Sequence, residues 1–116
     1  MKIFSSSLVL AAAVCLCAGP ARAADQLTPL QAQGKQVYSH WCIYCHAPGV
    51  WGTNRLSRRM DKDHAVLENR TDLTAAGIRA VVRMGIGSMP PLRRTEVSDA
   101  DVDAIAAYLT RRGSRQ

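Results

Sequence analysis

The chain has 116 residues, with 15 Lys and Arg against 9 Asp and Glu, a formal net charge of +6. That length suits one domain with a limited core. The excess of cations is not laid out as a basic helix with interleaved aromatics, which argues against a nucleic-acid surface.

Residues 1–23 read as a secretory signal peptide. Met1-Lys2 is a short basic start, and Ile3 to Cys17 is mostly apolar and too short to span a bilayer comfortably. Gly19-Pro20 breaks that run, and Ala21-Arg22-Ala23 is a small-x-small cleavage site. Cleavage after Ala23 gives one domain, 24–116, in the bacterial periplasm; an uncleaved anchor is the alternative. Val14 and Leu16 precede Cys15 and Cys17, where a lipid-modified cysteine wants a small residue. Lys2, Arg22, Cys15, Cys17 and the single Phe leave with the signal. That leaves 13 basic residues, 9 acidic ones, a net charge of +4, and only Cys42 and Cys45 as thiols.

After a short lead, Thr28-Pro29 predicts a helix start, with Thr as N-cap and Pro at the first helical position. The helix runs to about Trp41, with Leu30, Val37 and Trp41 near one face. Gly34 shares that face. It costs helix stability relative to Ala, and close approach of another helix is a physical reason to tolerate it.

Cys42-Ile43-Tyr44-Cys45-His46 follows at once. Two thiols three residues apart can add across the two vinyl groups of a haem, and the trailing His then comes under the iron. A zinc site needs further ligands, and the mature chain has no other cysteine to supply them. A redox dithiol needs a βαβ setting, whereas the flanks here read as helix. Cys42 and Cys45 are therefore the expected thioether attachments of one haem c, and His46 the expected proximal iron ligand. A large apolar macrocycle would also supply the core that the few aromatics do not, so the haem-free chain is expected to fold poorly.

Ala47 to Leu73 is long for a loop in a compact domain. It holds turn formers, the basic cluster Arg55, Arg58, Arg59 and Lys62, and a short helical stretch from Asp61 or Asp63 to Leu67. A loop of this length is expected to wrap the haem on the His46 side. Trp51 and Arg70 are its candidates for contacts with haem propionates, against plainer readings as a core Trp and a solvated Arg. Thr74 caps the next helix, to about Met84, with Ile78, Val81 and Val82 on its apolar face. Gly85-Ile86-Gly87-Ser88 breaks it ahead of Met89-Pro90-Pro91. Ser98-Asp99-Ala100-Asp101 opens the last helix, where Val102, Ile105, Ala106 and Leu109 recur at helical spacing before Arg111, Arg112 and Gly113. No stretch alternates as a strand should. The expected fold is all-α, with the terminal helices crossing at Gly34 and Tyr38 and Tyr108 packed between them.

One iron position remains, and it separates an electron carrier from a haem enzyme or gas sensor. His40 lies too close to Cys42 to reach the opposite side, and Met84 reads as helical core filler. Met60 and His64 sit in the long loop in polar company. Met89 leaves a glycine-rich turn and precedes two prolines that stiffen its backbone, which helps hold a weak thioether ligand. Met89 is the leading distal candidate, with His64 or an open site as alternatives. A His/Met pair fills both axial positions, raises the reduction potential and leaves one-electron transfer as the chemistry.

With Cys42 to His46, Met89-Pro90 and the terminal stretch Ala104 to Leu109, the mature chain resembles a small class I c-type cytochrome. The run from Val66-Leu67-Glu68-Asn69-Arg70 through Arg83 to Pro90 is similar to the cytochrome subunit of p-cresol methylhydroxylase-type flavocytochromes. The first resemblance implies the small class I fold and a monohaem electron carrier with no catalytic residues of its own. The second implies a periplasmic flavin dehydrogenase acting on a phenol or alcohol as electron donor, with a downstream carrier or terminal oxidase as acceptor. Many members of the family carry a proline in the loop after the haem histidine, near the carbonyl that accepts its Nδ1–H. Gly52-Thr53-Asn54-Arg55 has none, so the acceptor for His46 stays unassigned. Arg83, Arg93 and Arg94 flank the Met89 loop and are candidates to steer an acidic partner, against a plainer reading as ordinary surface charge.

Overall fold

The computed structural model describes residues 26–115, and the expected signal peptide with its cleavage site lies outside the described residues. The helices are α1 (Pro29–Trp41), α2 (Ile43–His46), α3 (Trp51–Leu56), α4 (Lys62–Ala65), α5 (Ala75–Met84) and α6 (Asp99–Leu109). Short 3-10 turns occupy Leu67–Asn69 and Gly113–Arg115. Among the described residues there is no strand beyond a single bridge between Ile86 and Met89. The fold is all-α, as the sequence implies.

Local chemistry starts the three long helices. The Thr28 hydroxyl accepts from the Gln31 N–H, and the Gln31 side chain accepts from the Thr28 N–H, a capping box with Pro29 behind it. The Thr74 and Ser98 hydroxyls accept from the N–H groups of Gly77 and Asp101. Asp99 and Asp101 place negative charge in the first turn of α6, where the helix dipole favours it.

The core lies where α1 crosses α6, and Gly34 sets the closeness of that crossing. A Cβ at Gly34 would stand 1.9 Å from the Ala104 carbonyl oxygen and 2.9 Å from the Tyr108 Cβ, so only hydrogen lets the two backbones approach. One turn on, the Tyr38 and Tyr108 rings meet at 5.9 Å between centroids, tilted by 54°. Gln33 donates to Asp101 at 3.3 Å beside them. Ile78 and Val82 of α5 close the core against Val97, Val102, Ile105 and Leu109. The buried stripe of α1 is narrower than its spacing implies: Gly34 and Tyr38 are buried, whereas Leu30 and Trp41 are exposed. Contact is made where α1 carries its smallest residue, with Val37 packed half-buried against the core and Leu30 and Trp41 left outside.

The segment between α2 and α5 is not one long loop. α3 is unexpected, and no side-chain cap marks its start at Val50. Tertiary contact holds it instead, since a Cβ on Gly52 would lie 2.4 Å from the Cys45 carbonyl oxygen. α4 starts as predicted, with Asp61 accepting from the N–H groups of Asp63 and His64. The buried Tyr108 hydroxyl donates to Glu68, which ties the following turn to α6. Burial and that carboxylate together push Tyr108 up to about 12. The Arg111 guanidinium lies 4.0 Å over the same ring, and α6 ends at Leu109, ahead of the basic pair expected to close it.

Candidate functional site

α1 hands directly to the attachment turn. Cys42 caps both the end of α1 and the start of α2. Its N–H donates to the Tyr38 carbonyl at 2.9 Å, and its carbonyl accepts from the N–H groups of Cys45 and His46 at 3.1 and 2.9 Å. A single turn, anchored to the buried part of α1, therefore carries both thiols and the imidazole. Both cysteines are free; Cys42 packs against the core and Cys45 is exposed. Burial, reinforced by Cys45, pushes the Cys42 thiol up to about 11, the reverse of the lowered thiol a redox dithiol uses. No group of three or more His, Cys, Asp or Glu able to hold a metal ion occurs among the described residues, so a zinc site lacks its ligand set.

The Tyr38 hydroxyl donates to the His46 carbonyl at 3.4 Å. The sequence marked Tyr38 only for packing, because a contact from mid-helix to a carbonyl beyond the helix end leaves no local pattern. Burial lowers the His46 pKa below the usual imidazole value and favours the neutral ring that a metal requires. Its Nδ1 is buried without a partner, and so is the Thr53 hydroxyl. Large apolar side chains stand uncovered on the segments around the motif and around Met89: Tyr44 is 74% exposed, Trp51 55%, Met84 73% and Ile86 64%. Met84 is thus not the core filler its spacing suggests. Two thiols and a neutral imidazole on one turn, beside uncovered apolar side chains, fit a covalently attached haem.

Met89 sits in a closed turn. Ile86 and Met89 exchange N–H···O bonds of 3.1 and 2.9 Å, with Gly85 and Gly87 at φ 72° and 57°. Met89 packs half-buried at the edge of the same core that Cys42 borders. His64 is exposed on α4, with its Nδ1 2.5 Å from Asp61, a carboxylate that raises its pKa. His40 lies exposed on α1, edge-on to Trp41 at 5.2 Å, and Met60 is half-buried in the turn after α3.

Arg70 spends two donors on Asp72, through Nε at 2.9 Å and Nη2 at 2.7 Å. Arg83 is not a surface charge. It donates to the carbonyls of Leu92 and Val97 and to Asp99. Arg94 pairs with Asp99 and Arg93 with Glu96. The cluster Arg55, Arg58, Arg59 and Lys62 is exposed.

A family model described as cytochrome C oxidase, cbb3-type, subunit III matches residues 29–109, from the first residue of α1 to the last of α6. No curated protein and no solved structure matches the chain. No helix among the described residues is long and apolar enough to cross a membrane. The matched span takes in the attachment turn and the Met89 turn, and such domains carry covalently bound haem c and transfer electrons. The chain therefore belongs to the family of cytochrome C oxidase, cbb3-type, subunit III, and its domain is a small c-type cytochrome.

Proposed function

We propose that this domain is a periplasmic monohaem carrier that takes single electrons from a dehydrogenase and passes them to a downstream carrier or terminal oxidase. Cys42 and Cys45 would hold the haem, each by addition of its S–H across one vinyl group, with nothing leaving and the α2 turn fixed to the macrocycle. His46 would supply a ring nitrogen and Met89 a thioether to its iron. When bound, the haem supplies a one-electron iron couple, and the His/Met pair favours its reduced form. Tyr38 holds the His46 carbonyl, which keeps the ligand turn in register with α1. Trp51 and the free Nη1 of Arg70 are available to the propionates. The observation that carries the reading is the closed Ile86–Met89 turn, whose half-buried Met89 packs against the same core as Cys42.

The test is the absorption spectrum of the ferric and ferrous holoprotein beside Met89→Ala. The expected result is a c-type spectrum with a weak far-red sulfur-to-iron band that the mutation abolishes. A haem spectrum without that band, unchanged by the mutation and joined by rapid CO binding, would instead make the domain a haem enzyme or sensor. The donor is proposed to be a flavin dehydrogenase acting on a phenol or alcohol, on the likeness of the Val66–Arg70 and Arg83–Pro90 runs to the cytochrome subunits of such enzymes. Failure of a purified dehydrogenase of that class to bind or reduce the protein would remove this donor and leave the carrier role standing.

A further inference from the structure

We infer that Arg83 is the positioning residue that keeps the Met89 thioether in place, a role that rests on the reading of Met89 as the distal ligand. Arg83 lies in the last turn of α5, and its side chain is only 18% exposed. Its Nη1 donates to the Leu92 carbonyl at 3.0 Å, and its Nη2 donates to the Val97 carbonyl at 2.9 Å and to Asp99 at 2.7 Å. Nε reaches the same Asp99 oxygen at 3.2 Å, while Arg94 holds the other at 2.8 Å. One guanidinium thereby joins the end of α5, the 92–97 segment and the start of α6.

The consequence for Met89 comes from the two prolines. Pro90 and Pro91 have no N–H to donate, so the backbone between Met89 and Leu92 cannot be tied down by its own donors. Leu92 is the first residue that can be, and both of its backbone polar groups are held by adjacent residues of α5. Its N–H donates to the Val82 carbonyl at 2.8 Å, and its carbonyl accepts from Arg83. The Ile86–Met89 pairing anchors one end of the loop and the Arg83 fork anchors the other, with stiff Pro90-Pro91 between them. A thioether is a weak, neutral iron ligand, so its occupancy depends on how little the loop can move. Lysine cannot substitute, because a point charge does not span two carbonyls and a carboxylate as a planar fork does.

The test follows cyanide binding to the ferric holoprotein, which reports how often the distal ligand lets go, together with the far-red band. Arg83→Gln is expected to speed cyanide binding at least tenfold and to weaken the band. Arg83→Lys, which keeps the charge beside Asp99 but loses the fork, is expected to meet the same tenfold criterion and decides the matter if Arg83→Gln does not accumulate. Val102→Ala, a buried core substitution that removes none of the groups the Arg83 fork binds, controls for general loss of stability and is expected to stay within twofold of the unmodified protein. Rates within twofold for the Arg83 variants with the band intact, or an equal rise in Val102→Ala, would overturn the assignment. Failure of the Met89 reading shows separately, as a missing band in the unmodified protein or one that survives Met89→Ala.

Discussion

Gly85 shapes the turn that carries Met89 as much as Met89 does. It stops α5 at φ 72° and ψ 171°, a region closed to most side chains, where strain costs on the order of 1–3 kcal/mol. An added Cβ would also lie 2.5 Å from the Met89 carbonyl oxygen and 3.0 Å from the Pro91 nitrogen. Gly85→Ala is therefore expected to lose roughly 2 kcal/mol or more of stability and to weaken the far-red band as Met89 is displaced. Denaturant titration with the spectrum read on the same samples checks both, and unchanged values would show that the turn tolerates a side chain. The Cys42–His46 motif stands out in the sequence because its chemistry lies in spacing alone. The work of Arg83 could not: its partners Leu92, Val97 and Asp99 lie beyond the helix that carries it, so a cation near a helix end read as a surface charge.

At the level of elements, α1, α5 and α6 were legible because Thr28, Thr74 and Ser98 announce their starts in the side chains themselves. α3 was hidden because it is six residues long, has no side-chain cap and contains Gly52 and Asn54, both weak helix formers. What favours α3 is its seat against Cys45, and no local window reports that. The α1–α6 crossing could be anticipated from a glycine on an apolar face, and its closeness makes a sharp prediction. Gly34→Ala improves helix propensity by up to about 1 kcal/mol, yet its methyl group would meet the Ala104 carbonyl. The net effect is expected to be destabilising by about 1–3 kcal/mol, read as a lower denaturation midpoint. A neutral or stabilising result would mean that α1 can slide along α6 without cost.

Across the whole molecule the carboxylates pull one way. Hydrogen bonds and charge from Arg70 hold Asp72 down to about 2. Asp61, Glu96, Asp99 and Asp101 are also lowered, by backbone N–H groups, arginines or the Ser98 hydroxyl. A carboxylate lowered in the folded state contributes stability above its unfolded value, and that contribution is lost as pH falls through its folded value. His64 is raised by Asp61, so its contribution is present below its ordinary value of 6.5 and is lost as pH rises through the raised one. The thermal midpoint of the holoprotein is expected to fall between about pH 4 and pH 2, and a flat profile there would mean that these exposed pairs contribute nothing.

The closest packing in the domain joins residues near its two ends, as the Gln33–Asp101 bond across a separation of 68 residues illustrates. Helix α1 thus has no surface to bury its glycine against until the last helix has been made. Contacts so distant in sequence form late, because the intervening chain must first give up its freedom. The Cys42–His46 turn, built from local hydrogen bonds, can form ahead of that crossing, on a chain that has not yet closed. A haem added to that open polypeptide would meet both thiols before the α1–α6 crossing locks the helix that leads into their turn.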